Sequence, residues 1–311
     1  MIRCKVITPK LVALVFAFLL LIFSSFLFTN ASIAEATHET TSIVSTRDHF
    51  NPYYGYLKWG YTTTGYTPIG IPAVCSTGLT DIVIFVHGWN ADEEDAIDQF
   101  NMVKESLSSL GLFHPLVQVI GFSWDSDTFG SFFSSSFDVA QDIALDNGPK
   151  LANFILDFKS QPHCENVEIR LVAHSLGSRV VLSALDELHR RDRNYNVASV
   201  DLLGAAVDPY DVSKQSMRRV IQDLVGFPTK FDNHYCPFDD TLQLYLYEEG
   251  LEALGSIKLE GRLPIPENYQ DVYVCDQLYS GQNHMTYMGF VNPSTNELED
   301  GAMDRVVDDW R

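Results

Sequence analysis

The sequence predicts an α/β fold, a mostly parallel central sheet flanked by helices on both faces. Three observations carry this. Several short runs are continuously apolar and rich in Val and Ile, the pattern of strands buried on both faces. The stretches between them repeat their apolar residues at helical spacing. Strand and helix patterns then alternate along most of the chain, and such alternation closes through crossovers into a parallel sheet. The chain has 311 residues and 46% hydrophobic content, enough for one large core. With no repeat or internal linker, residues 51–311 read as a single domain.

The elements follow in order. Residues 51–80 carry Tyr, Gly and Pro with little periodicity, as short strands and loops would. Residues 82–86 form the first buried strand. Residues 91–110 place Ala96, Ile97, Phe100, Val103, Leu107 and Leu110 on one helical stripe. Asn90 is the expected N-cap, acidic Asp92, Glu93 and Glu94 suit the positive helix end, and Gly111 stops the helix. A strand follows at 116–122, a helix at 139–158, a strand at 167–173, a helix at 176–189 and a strand at 197–207. Residues 212–225 are amphipathic and read as a crossover helix. Short strands are expected at 231–235 and 271–274, and a closing helix at 299–310.

The N-terminus stands apart. Arg3, Lys5 and Lys10 precede an uncharged run over residues 11–28, and small residues follow. This is the layout of a secretory signal over residues 1–34. The alternative is an uncleaved membrane anchor, since the run is at the short end of a span. Both put the rest of the chain outside the cytoplasm, secreted or anchored on the outer face of the membrane. Residues 35–50, polar and Thr-rich, read as a flexible leader. The formal charge of −20 excludes nucleic acid as a partner. It describes a well-solvated acidic surface, or one suited to high salt. Beyond Cys4, four cysteines remain, Cys75, Cys164, Cys236 and Cys275. An even number in an exported chain suggests disulfides, with three pairings open. Metal-binding and nucleotide-binding spacings are absent, so neither metal nor cofactor is expected.

The candidate site starts at "RLVAHSLGSR", residues 170–179. An apolar strand run stops at His174-Ser175-Leu176-Gly177 and a helical pattern begins at once. A serine on such a turn lifts its hydroxyl out of the sheet, as a nucleophile requires. Gly177 fits the G-x-S-x-G elbow, whereas Ala173 occupies the first Gly position. The competing reading is a helix N-cap serine. Upstream, "IFVHGWN" ends a buried strand with a turn at Gly88 that aims the Trp89 N–H. The Leu176 N–H, at the start of the helix after Ser175, is the second donor for an oxyanion. His87 and His174 flank the site and brace its loops.

In the order "VHGWN", "GFSWDSD", "AHSLGSRVVLSAL", the chain resembles the α/β-hydrolases of the esterase/lipase superfamily. It is similar to a poorly characterised branch carrying H-G-[FYW]-N, F-S-W-P-S and H-S-[ML]-G. Asp125 stands where that branch has Pro, and the branch shares the Ala at 173. The resemblance covers roughly residues 80–290 and is specific for fold, not substrate. It implies a Ser…Asp…His order. His284, in "GQNHMTYMGF", then sits where the family has its catalytic histidine. Two acids compete. Asp208 resembles the L-D-P of pancreatic-type lipases; Asp239 lies after the next strand, the more usual place, and is preferred. Trp124 flanks the site. The superfamily strand order, 1-2-4-3-5-6-7-8, makes the strands after Cys75 and Cys164 neighbours, and likewise those before Cys236 and Cys275. It thus implies the pairs Cys75–Cys164 and Cys236–Cys275. "TFGSFFSSSF", residues 128–137, is a candidate acyl-pocket wall or lid, or a set of rings packed under the following helix. The implied activity is hydrolysis of a small-molecule or lipid carboxylic ester through a Ser-His-Asp triad and an acyl-enzyme. The same machinery serves thioesterases and acyltransferases. A non-catalytic binding protein at the cell surface is the rival class. Membrane association, where present, runs through the N-terminal segment.

Overall fold

The strands that bury both faces build the middle of the molecule. In the computed structural model the described residues are 42–72, 75–112, 116–129, 135–192, 195–226, 231–281, 283–308 and 310. Residues 1–41, with the segment expected to be a secretory signal, lie outside them. One sheet has eight strands: β1 (Ser42–Ser45), β2 (Thr67–Ile69), β3 (Asp81–Val86), β4 (Val117–Ser123), β5 (Glu168–His174), β6 (Ser199–Leu203), β7 (Phe231–Tyr235) and β8 (Tyr269–Tyr273). Their order is β2-β1-β4-β3-β5-β6-β7-β8. Only the β1–β2 pair is antiparallel. From β4 onward this is the expected order. The outer two strands are exchanged, with β1 rather than β2 beside β4.

Alternate residues of each strand feed two cores, as the pleat requires. Ile82, Ile84, Val86, Leu171 and Ala173 face one cluster, with α2 (Ser136–Lys159), α3 (Gly177–Arg191) and α5 (Gln215–Leu224). Val83, Phe85, Val172 and Leu203 face the other, with α1 (Glu93–Ser109) and α7 (Met303–Asp308). Thr40–Arg311 forms one compact unit. Among the described residues no helix is long and apolar enough to cross a membrane.

Several expectations need correction. The leader expected over 35–50 contains β1, whose four residues pair with Ile120 to Ser123 of β4. Val44 and Phe50 are fully buried there. A strand this short buries too few apolar side chains to stand out among Ser and Thr. The α1 cap is Asp92, not Asn90: the Asp92 carboxylate accepts the Glu94 and Asp95 N–H groups. Asn90 instead turns the preceding loop with φ 58°. The crossover expected at 212–225 is two helices, α4 (Pro209–Ser213) and α5, broken where Lys214 is extended. A further helix, α6 (Asp240–Glu249), went unforeseen because its Leu and Tyr residues surround it and leave no clean stripe. The closing helix is shorter than 299–310, since β10 (Leu298–Glu299) pairs with β9 (Phe290–Val291). Two disulfides join Cys75 to Cys164 and Cys236 to Cys275, the pairs implied by strand order. Such bonds persist in oxidising compartments and fit an extracellular location.

Candidate functional site

β5 ends in an abrupt turn. Ser175 has φ 53°, a left-handed conformation that a residue with a Cβ adopts only when its surroundings hold it there. Two bonds to the β6 side do so: Ser175 N–H donates to Leu203 O (3.0 Å), and Ala206 N–H donates to Ser175 O (3.2 Å). α3 then departs so close to β3 that a Cβ on Gly177 would lie 2.4 Å from Val86 O. Ala173 lies inside β5 with no positive φ, so its methyl costs the elbow nothing. Gly88 on the facing turn is also tightly placed. A Cβ there would sit 2.9 Å from the Ser175 Cβ.

His284 reaches this elbow from the connection after β8. Its Nδ1 donates to Asp239 Oδ2 at 2.6 Å, a charge-assisted bond between two buried side chains. Asp239 Oδ1 accepts the Thr241 and Leu242 N–H groups, both at 3.0 Å, so one carboxylate caps α6 and orients the imidazole. The His284 ring lies 4.6 Å from that of His174, the residue before Ser175. His174 Nε2 donates to His284 O at 2.9 Å and fixes the loop carrying the imidazole. Burial, and then His284, hold the His174 pKa well below its ordinary value, so it stays neutral. His284 Nε2 is buried and makes no hydrogen bond among the described residues.

Residues 73–271 match the family described as alpha/beta hydrolase of unknown function (DUF900). The chain belongs to this α/β-hydrolase family. No curated protein matches it. The matched region holds Ser175 and Asp239, and His284 lies beyond it.

The remaining α/β-hydrolase loops brace the Gly88–Trp89 turn. His87 Nδ1 donates to Gly88 O (2.9 Å), and Nε2 accepts the Trp124 N–H (3.1 Å). The Trp124 indole N–H returns to His87 O at 2.9 Å. Burial, and then Arg47, hold the His87 pKa well below normal, which suits this neutral tautomer. The Trp89 indole N–H donates to Thr128 Oγ1 at 2.9 Å. Leu176 is the N-cap of α3, where backbone N–H groups have no helical acceptor.

Sequence reasoning missed Arg47. Its guanidinium donates to Ser123 Oγ, Asp127 Oδ1 and the Ala91 and Asp92 carbonyls, tying the end of β1 to the turn. Burial pulls its pKa down against four nearby carboxylates. Asp125, noted only as a departure from Pro, accepts the Asp48 and Phe50 N–H groups at 2.7 Å each. Tyr287 was also unforeseen. Its buried hydroxyl has a pKa raised well above normal by burial and by the Asp239 carboxylate.

Other candidates lie elsewhere. Asp208 caps α4 through the Tyr210 N–H (2.8 Å) and makes no bond to His284. Asp201, Asp232 and His234 are the one group among the described residues with ligand atoms close enough for a metal. They lie within β6 and β7, where Asp201 also accepts from His234, Ser199 and Trp310. Of the candidate pocket wall, residues 130–134 lie outside the described ones. Phe137, itself in the first turn of α2, is buried between Trp89 and Tyr245, and Phe129 is exposed.

Proposed function

We propose that the chain is an exported serine hydrolase of carboxylic esters. Ser175 attacks the ester carbonyl while His284 Nε2 takes its proton. Asp239 holds the imidazole in the Nδ1–H tautomer and stabilises its charged form. The Leu176 and Trp89 N–H groups receive the oxyanion. The tetrahedral intermediate collapses as His284 protonates the departing alcohol, leaving an acyl group on Ser175. Water, activated by the same imidazole, releases the acid.

The observation that carries this reading is the Asp239–His284 bond. It leaves Nε2 buried without a hydrogen bond among the described residues, on a ring 4.6 Å from that of His174, which precedes the elbow serine held at φ 53°. Export is supported by the two disulfides and the residue 1–34 pattern. The test is turnover of p-nitrophenyl esters of graded chain length by the disulfide-bonded protein and by Ser175→Ala. The wild type should turn over, and the variant should not, at an unchanged melting temperature. A well-folded wild type inert towards all of them would favour a binding protein.

A further inference from the structure

The helix that leaves the elbow carries a cation its neighbours leave unsatisfied. Arg179 lies in the first turn of α3, and its side chain is 15% exposed. A guanidinium presents a fork of N–H donors and keeps its charge in a protein. Among the described residues Arg179 bonds none of these donors. Its Nε is buried with no acceptor, and Nη1 stands 3.7 Å from Asp211 Oδ2, beyond hydrogen-bond distance. Asp211 is held instead by Lys214, whose Nζ donates to Oδ1 at 3.1 Å. Arg190 and Arg191, near the other end of α3, show the contrast, since each donates to the Glu187 carboxylate at 2.6 Å. Buried charged donors are costly until something accepts from them.

This guanidinium borders open space. Arg179 and Lys214 line a cavity of about 250 Å³ where α2, α3 and the break between α4 and α5 meet. Leu145, Leu182 and Met217 give it an apolar side, and Asp186 and Asp211 add two carboxylates. Ser175, Asp239, His284 and Trp89 are not among its lining residues. The lining selects a guest. A guanidinium fork matches a carboxylate or a phosphate. Asp186 and Asp211 already balance Arg179 and Lys214, so one added negative charge is accommodated better than two. Sites for drug-sized ligands span about 300–1,000 Å³, so this guest is smaller, and the apolar side gives it a hydrocarbon part.

We propose that this cavity binds a monocarboxylate with a short apolar tail, its carboxylate on Arg179 and Lys214 and its tail against Leu182 and Met217. Ser175 takes no part, so the binding stands apart from the ester-hydrolase reading. The full disulfide-bonded chain is titrated calorimetrically at neutral pH with hexanoate, acetate, 1-hexanol and inorganic phosphate. Hexanoate should occupy one site, at least tenfold more tightly than any of the other three. Arg179→Gln should weaken it at least tenfold without lowering the melting temperature, and Lys214→Gln should weaken it several-fold. Ser216→Trp, placed at the exposed rim of the cavity, should block hexanoate while both cations remain. Absence of hexanoate binding would overturn the proposal. So would equal binding of 1-hexanol or phosphate, or undiminished binding by Arg179→Gln or Ser216→Trp. Hexanoate binding by a chain inert towards every ester would support this site while the hydrolase reading fails, and ester turnover without hexanoate binding would do the reverse.

Discussion

Asp239→Asn separates the two tasks of this carboxylate. Asparagine keeps an oxygen for the Thr241 and Leu242 N–H groups that Oδ1 now accepts at 3.0 Å, so α6 stays capped. Losing such a cap altogether costs about 1 kcal/mol, and the Asn variant should lose less. The other limb changes sign. Oδ2 accepts from His284 Nδ1 at 2.6 Å, whereas an amide NH2 there donates. Nδ1 must then give up its proton, and Nε2 takes one and no longer serves as a base. A wrong tautomer in a serine triad costs about 10⁴-fold in kcat, close to 5.4 kcal/mol at 1.36 kcal/mol per decade. Steady-state hydrolysis of a p-nitrophenyl ester should show a fall near 10⁴-fold, with a melting temperature within a few degrees of wild type. Asp208→Asn, which alters only the α4 cap, should leave kcat within a few fold. More than a tenth of wild-type kcat in Asp239→Asn, or an equal loss in Asp208→Asn, would refute the reasoning.

Other predictions concern the frame. Gly177→Ala brings a methyl against the Val86 and His87 backbone oxygens, which cannot move aside; it should destabilise by about 3 kcal/mol or prevent folding, read as a lower urea midpoint. Replacing Cys236 and Cys275 with Ser frees a 39-residue loop and should cost about 4 kcal/mol on the loop-entropy estimate. It should also lower kcat, because that bond ties the Asp239 segment to the one leading to His284. The Cys75–Cys164 counterpart should lose stability alone, and equal kcat in both variants would contradict this. Burial, and then the neighbouring Lys150, push the His49 imidazole down to about 4. Between pH 6.5 and 4 the unfolded chain therefore binds more protons, and stability falls as the pH drops, by up to about 3 kcal/mol from this group. His49→Gln should flatten that acid limb in urea titrations; an unchanged slope would remove His49 as its source.

Much of this architecture is written in the chain because strands buried on both faces must be apolar throughout. That makes β3 and β5 stand out, and the polar residues ending them then mark the sheet edge where a site forms. Ser175 stands out as a candidate for that reason, whereas His284 is picked out only by the resemblance to the esterase/lipase superfamily. Asp239 is preferred over Asp208 only through the resemblance, since both are N-cap aspartates after a strand and packing alone brings one of them against His284. Arg47 was hidden by a different cause. It lies in the turn after β1, a strand too short to show periodicity, and its role depends on carbonyls of a loop some forty residues away. Asp125 is visible as an oddity and explained only by the backbone of residues 48–50, whose N–H groups it accepts. α6 escaped notice because its Leu244, Leu246 and Tyr247 are exposed.

The most direct test of the central claim is covalent. A fluorophosphonate should label the folded wild-type protein, and peptide mass spectrometry should find the adduct on Ser175. Ser175→Ala should take none, and His284→Gln and Asp239→Asn should label far more slowly. A folded wild type that resists the reagent, or an adduct on another residue that survives Ser175→Ala, would contradict the account.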